Sequence, residues 1–231
     1  QIFVIGEDVP EGMRSHRELF DYPWEEEVSE ARIAECRPDP DSVVTLMFTS
    51  GTTADPKGVM HTHNTLGCGT RQVATLFDFG PDEVIFMPSP IGHTTALLVG
   101  ARVPLQYGLT TVWQEHWDAE QAVELIEEHG CTFTLSATPF LHGLLHAERA
   151  SRGSLRSLKT FACGGAPIPR ELIKTANDDF GLFVSAIYGS SEALINSAIA
   201  PDSPMTRRFG TDGKMLSDQA AKLVDPDSGE P

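Results

Sequence analysis

Basic residues are few in this chain of 231 residues: 17 Lys and Arg stand against 33 Asp and Glu, a net charge of −16. That argues against nucleic acid as a partner, because a phosphate backbone demands clustered Lys and Arg. Cysteine is scarce too. Cys36, Cys68, Cys131 and Cys163 are widely spaced and form no C-x-x-C pair, so neither a zinc site nor a disulfide framework is indicated, and a reducing, cytoplasmic setting fits best. No apolar run reaches the roughly 20 residues of a membrane span. The opening Gln1-Ile2-Phe3-Val4-Ile5-Gly6 lacks the basic flank of a signal peptide. An initiating Met is missing, and the final Asp225-Pro226-Asp227-Ser228-Gly229-Glu230-Pro231 reads as a turn within a hairpin, so a fragment of a longer protein is expected.

What is present is the composition of a globular protein, 40% hydrophobic and 22% charged, with enough length for a full core. Short apolar runs alternate with amphipathic stretches, which predicts an α/β fold of mostly parallel sheets covered by helices. The expected strands are Ile2–Ile5, Val43–Phe48, Val84–Met87, Thr110–Trp113, Thr132–Ser136, Thr160–Cys163 and Phe183–Ile187. Helices are expected over Asn64–Phe77, with Asn64 as N-cap, and over Asp118–His129, where Ala122, Leu125 and Ile126 share a face. Pro139–Ala150 and Pro169–Asn177 begin with proline, as helix starts often do. Residues 1–42 read as a strand and an acidic connecting segment, 43–221 as the ligand-binding core, and 222–231 as the start of a small antiparallel β piece.

The strand candidate Val43–Phe48 runs into Thr49-Ser50-Gly51-Thr52-Thr53-Ala54-Asp55-Pro56-Lys57-Gly58-Val59. Glycines there let the backbone approach an anion, the hydroxyls offer donors at short reach, Lys57 brings a mobile charge and Pro56 stiffens the turn. Such a loop suits a polyphosphate. It is not the P-loop of nucleotide triphosphatases, because Lys57 precedes Gly58 and five residues separate it from Gly51.

The string Thr49–Gly58 resembles the signature of the adenylate-forming (AMP-binding) superfamily, and the run Lys57-Gly58-Val59-Met60-His61-Thr62-His63-Asn64-Thr65-Leu66 looks most like its acyl-CoA synthetase branch. Three further segments match that resemblance. Gly164-Gly165-Ala166-Pro167 is similar to the segment that packs on adenine, although a Gly-Gly pair alone equally makes a tight strand-to-helix turn. Tyr188-Gly189-Ser190-Ser191-Glu192 is similar to a Tyr-Gly-x-Thr-Glu motif, which implies an aromatic wall for adenine, a phosphate contact from Ser191 and a magnesium ligand in Glu192. Ser191 replaces the usual Thr and keeps its hydroxyl. Pro88-Ser89-Pro90-Ile91-Gly92-His93 is similar to the segment near the acyl pocket, which implies that His93 is a gate or wall of the carboxylate site and not a general base; a helix-start histidine bonding to backbone is the alternative, and Gly92 and Ile187 are acyl-pocket candidates because they neighbour the motifs. His61 and His63 are expected to cap or pack the following helix, since no third metal ligand is in view. Ala54 stands where many relatives carry glycine, and Phe209-Gly210-Thr211-Asp212-Gly213-Lys214 resembles a glycine-rich segment late in the family's large domain.

The resemblance implies a nucleotide site of Thr49, Ser50, Gly51, Thr52, Thr53, Lys57, Gly164–Pro167 and Tyr188–Ser191, with Lys57, Ser191 and Glu192 assigned the catalytic roles. It implies ATP and a carboxylic acid as substrates, magnesium, and coenzyme A as acceptor. A carboxylate would attack the α-phosphorus of ATP, expel pyrophosphate and leave an acyl adenylate, from which a thiol displaces AMP. An aryl-acid AMP ligase that hands its acyl group to a carrier protein is the alternative. The ribose-binding Thr-Gly-Asp, the hinge arginine and the C-terminal domain with its lysine are not found, and Lys214 and Lys222 lie in the wrong context to replace that lysine, so the 231 residues alone are expected not to adenylate efficiently. Whether the protein is a homodimer is left open.

Overall fold

The computed structural model describes residues 3–4, 6–49, 55–217 and 219–231. The chain divides into two compact units, Gln1–Ser42 and Val43–Pro231. In the first, strands β1 (Phe3–Val4) and β2 (Arg14–Ser15) pair in parallel and three short helices follow: α1 (Arg17–Phe20), α2 (Trp24–Glu27) and α3 (Glu30–Glu35). Ser29 caps α3 by accepting from the Arg32 N–H.

The second unit opens with an antiparallel hairpin, β3 (Val43–Thr49) and β4 (Lys57–Thr62), in which Thr49 lies opposite Lys57. Helix α4 (His63–Leu76) starts without a gap. Its N-cap is Thr62, not Asn64: the Thr62 hydroxyl accepts from the Thr65 N–H while the Thr65 hydroxyl accepts from the Thr62 N–H, a reciprocal capping box. Leu66, Gly69, Thr70 and Val73 repeat at three to four residues along its buried face.

The main sheet has seven strands. β5 (Val84–Met87) leads through a π-helix (Ala96–Arg102) into α5 (Val103–Tyr107) and β6 (Thr110–Trp113). Then come α6 (Ala119–His129), β7 (Phe133–Ala137), α7 (Thr138–His146), β8 (Thr160–Gly164), α8 (Arg170–Thr175) with a π-helical extension Ala176–Phe180, β9 (Phe183–Ser190), β10 (Leu194–Ala198), α9 (Met205–Arg208) and β11 (Lys214–Met215). The spatial order is β11-β10-β9-β8-β7-β5-β6. The five strands from β9 to β6 run parallel, and β10 and β11 add antiparallel strands at one edge.

The strand period of two sends alternate residues into two cores. Phe86, Phe161, Cys163 and Val184 face helices α6, α7 and α8, where Ile126, Leu141, Leu144 and Leu172 close the layer. Ile85, Met87, Phe133 and Ala162 face the opposite layer, packed on Leu66 and Val73 of α4 and Leu98 and Val99 of the π-helix. Asp118 caps α6 through a 2.8 Å bond from the Gln121 N–H, and Gly130, at φ +62°, ends that helix in a left-handed turn.

The α/β architecture with a mainly parallel sheet is as expected from the sequence. β4, the π-helix with α5, β10 and β11 are additions. The antiparallel piece expected from Lys222 does not form: residues 219–231 hold no strand, and Asp225 instead accepts from the N–H groups of Asp227 and Ser228 in a turn.

Candidate active site

Strand β5 has β6 on one side and β7 on the other, so the order of the sheet reverses there and the loops after β5 and β7 leave to opposite faces. Such a switch point leaves a crevice beyond the carboxyl ends of the strands, where open α/β sheets bind ligands. A cavity of about 450 Å³ lies in that place. Its walls come from the ends of four strands: Ser89, Pro90 and His93 after β5, Ser136 and Ala137 at β7, Gly164 and Gly165 at β8, and Ile187, Gly189, Ser190 and Ser191 at β9. Leu98, Val99, Leu135, Phe140, Leu194 and Ile195 supply its apolar surface.

Glycine is required at three of these positions, Gly164 beside the β9 backbone, Gly189 and Gly165. A β-carbon on Gly189 would stand 2.0 Å from the Leu194 carbonyl oxygen across the β9–β10 hairpin. Gly165 adopts φ +77°, which a side chain would strain. The Gly164–Pro167 turn is also tied to α7, because the Thr138 hydroxyl donates to the Ala166 carbonyl at 3.3 Å.

The segment expected to bind phosphate joins β3 to β4; Ser50, Gly51, Thr52, Thr53 and Ala54 lie outside the described residues. At its two ends the Thr49 hydroxyl donates to the Lys57 carbonyl at 3.5 Å, and Lys57 is exposed. β9 continues three residues beyond the expected Ile187, so Tyr188, Gly189 and Ser190 belong to the strand and Ser191-Glu192-Ala193 make the turn to β10. Leu194 closes that turn at φ +60°, and the Ser190 hydroxyl accepts from the Ala193 N–H. Tyr188 and Glu192 are exposed.

His93 makes the backbone bond of the helix-start reading and also faces the cavity. Its Nδ1 accepts from the Thr95 N–H at 3.2 Å, as a helix-start residue does, and the same side chain borders the cavity. Gly92 does not line the cavity, because it sits on the exposed turn one residue short of the wall; Ile187 does line it. Ala166, Pro167, Tyr188, Glu192, Thr49 and Lys57 are likewise outside its lining. His61, expected to pack on α4, meets Thr65 at 3.2 Å, but its other ring nitrogen lies 2.7 Å from the Ser191 carbonyl oxygen. Thr94 and the apolar walls from Leu98 to Ile195 carry no motif and are invisible until the strands are paired.

The turn offers two hard-oxygen donors from consecutive residues, the Ser191 hydroxyl and the Glu192 carboxylate. The pair fits magnesium carried on a triphosphate, which keeps phosphate and water ligands, and does not amount to a cage of protein oxygens. Among the described residues no three His, Cys, Asp or Glu side chains cluster to hold a metal, and no helix is long and apolar enough to cross a membrane.

A family model described as AMP-binding enzyme matches residues 6–231. The medium-chain fatty-acid–CoA ligase of Escherichia coli (strain K12) is 32% identical over 185 residues, which cover 80% of this chain and 32% of that protein. A feruloyl-CoA synthase of Amycolatopsis is 29% identical over 191 residues, 83% of this chain and 38% of its own length. Among solved structures, ATP-bound MatB from Rhodopseudomonas palustris superposes with a TM-score of 0.76 at 25% identity, covering 84% of this chain and 38% of that one. The o-succinylbenzoate coenzyme A synthetase of Bacillus subtilis in complex with AMP gives 0.70 at 25% identity, with 78% and 36% covered. The chain therefore spans about a third of the length of the relatives it matches.

Proposed function

The chain belongs to the AMP-binding enzymes, and from that premise we propose that the protein carrying it is an ATP-dependent carboxylate–CoA ligase. The observation that carries the reading is the cavity at the strand-order switch, walled by residues of three separate motifs, around His93, Gly164–Gly165 and Gly189–Ser191. The names of the relatives, a fatty-acid–CoA ligase and a feruloyl-CoA synthase, support coenzyme A as the acceptor.

In this reading two anions must meet, and the chain's own groups manage their charge. Lys57 and the hydroxyls from Thr49 to Thr53 neutralise and orient the triphosphate, and Ser191 contacts a phosphate. The turn Gly164–Pro167 and the ring of Tyr188 hold the adenine. Glu192 would hold magnesium, which would supply withdrawal of charge from the phosphate oxygens. The apolar walls at Leu98, Val99 and Phe140 hold the acyl group and exclude water, while His93 borders the carboxylate. A carboxylate oxygen forms a bond to the α-phosphorus as the bond to the bridging oxygen of pyrophosphate breaks; the coenzyme A thiolate then takes the acyl carbon and AMP leaves. No side-chain nucleophile is required, because the acid is already ionised at neutral pH.

ATP–pyrophosphate exchange by the complete protein, over a panel of aliphatic and aryl acids, tests the reading. Acid-dependent exchange followed by acyl-CoA formation is expected. Absence of exchange with every acid, in a folded sample, overturns it. The 231 residues alone are expected to exchange poorly.

A further inference from the structure

His61 lies on β4, opposite Thr45 of β3, and is only 2% exposed. Its Nε2 is 2.7 Å from the carbonyl oxygen of Ser191, a residue 130 positions away in sequence. A carbonyl only accepts, so Nε2 carries the hydrogen and donates. The Thr65 hydroxyl, 3.2 Å from Nδ1, is placed on the other side of the ring. A second strut reaches the same turn: Thr94, after β5, donates from Oγ1 to the Ser191 hydroxyl at 3.2 Å, and Met47 Sδ of β3 lies 3.2 Å from that same Oγ1. Thr94 and Met47 are both buried.

These contacts tie two pieces that the sheet does not otherwise connect. β3 and β4 form their own two-stranded sheet, and Lys57 begins β4; the Ser191–Ala193 turn belongs to the seven-stranded sheet and carries Glu192. We propose that His61, with Thr94 as its companion, is a positioning residue that sets the separation between the cationic hairpin of Lys57 and the turn of Glu192, and so the fit of the magnesium–triphosphate between them. The proposal rests on the roles given to Lys57 and Glu192 above. It adds a residue that touches none of the reacting groups and acts through the main chain of Ser191. A donor at this place satisfies the Ser191 carbonyl, which an apolar residue at position 61 cannot do.

The test uses His61→Leu, His61→Gln and Thr94→Val in the complete protein, with two readouts: binding of a non-hydrolysable ATP analogue at varied magnesium, followed by calorimetry, where the half-saturating magnesium concentration is expected to move as it does in exchange, and ATP–pyrophosphate exchange measured against magnesium and against acid. Residues that hold a metal's own ligands typically change its affinity by about 10- to 100-fold. The magnesium concentration for half-maximal exchange is therefore expected to rise by about 10-fold or more in His61→Leu while the KM for the acid stays within twofold. His61→Gln, whose amide can donate to the Ser191 carbonyl, is expected to recover most of the shift. Thr94→Val, which creates no large cavity, is expected to move the magnesium dependence the same way by a smaller factor, and it serves if His61→Leu does not fold. An unchanged magnesium dependence in active His61→Leu, or in Thr94→Val where His61→Leu does not fold, overturns the positioning role while leaving the ligase reading standing. So does an equal loss against acid and magnesium that glutamine does not rescue. Absence of exchange in the unsubstituted protein overturns the ligase reading and the positioning role together.

Discussion

A β-carbon built on Gly164 would stand 2.6 Å from the carbonyl oxygen of Ile187, closer than real side chains approach. Gly164 ends β8 and Ile187 lies on the neighbouring β9, and both border the cavity. The obstacle is backbone, which cannot swing aside. Gly164→Ala is therefore expected to splay the two strand ends and to cost about 1–3 kcal/mol, the usual range for overpacking. Urea unfolding of the two proteins measures the loss, and binding of a non-hydrolysable acyl-adenylate analogue is expected to fall with it. Equal stability would show that the strands have room to move apart.

The four thiols divide by burial. Loss of solvation raises Cys131 from the ordinary 9.0 to about 12 and Cys163 to about 11, the Thr138 hydroxyl opposing the shift at Cys163. Cys36 and Cys68 are exposed. Alkylation of the native protein at pH 8 is expected to modify Cys36 and Cys68 and to spare the buried pair until denaturant is added, as peptide mass mapping would report.

The same shifts carry a sign for stability. A thiol whose folded value is raised favours the protonated, folded form, so its contribution is complete below the unfolded value of 9.0 and is lost as pH rises towards 11–12. Unfolding midpoints are expected to fall above pH 9, and Cys131→Ala with Cys163→Ala to flatten that part of the profile.

Thr134 is fully buried on β7, and its hydroxyl has no hydrogen-bond partner among the described residues. A buried hydroxyl without a partner costs roughly 1–3 kcal/mol relative to one that is satisfied. Thr134→Val keeps the shape, removes the unmet polar atom and is expected to raise stability by about 1 kcal/mol. A loss of similar size in a urea titration would mean that the hydroxyl is satisfied after all.

Lys57 and Glu192 are exposed and outside both cores, so their removal is expected to leave the fold intact. In the complete protein, Lys57→Ala and Glu192→Ala are each expected to lower acid-dependent ATP–pyrophosphate exchange by roughly 10²-fold, the scale of losing one preorganised charge contact. Unchanged exchange in both would remove them from the site.

Local pattern was enough wherever a segment's neighbours in sequence are also its neighbours in space. Val84–Met87 and Thr110–Trp113 form strands over the residues their apolar runs predict, and Asp118 caps α6 because a cap needs only the N–H groups two or three residues ahead. The short signature segments were legible too, since each is a contiguous run at a strand end. What escaped the sequence depended on partners far along the chain. Lys57–Thr62, with its glycine and histidine, is a strand because β3 lies beside it, and Leu194–Ala198 because β9 folds back on it. Asn64 was an acceptable N-cap by residue type, but the hairpin carries Thr62 into extended backbone at ψ 170° and gives it the Thr65 bond, so the cap falls two residues sooner. The cavity exists only once the order of strands reverses around β5, and the bond from His61 to Ser191 only once the hairpin meets the Ser191 turn. Residue types and their periodicity determined the strands and helices with a strong local pattern, the helix-covered parallel sheet and the signature segments. Strand order and non-local pairing, which no local pattern encodes, decided where those segments converge.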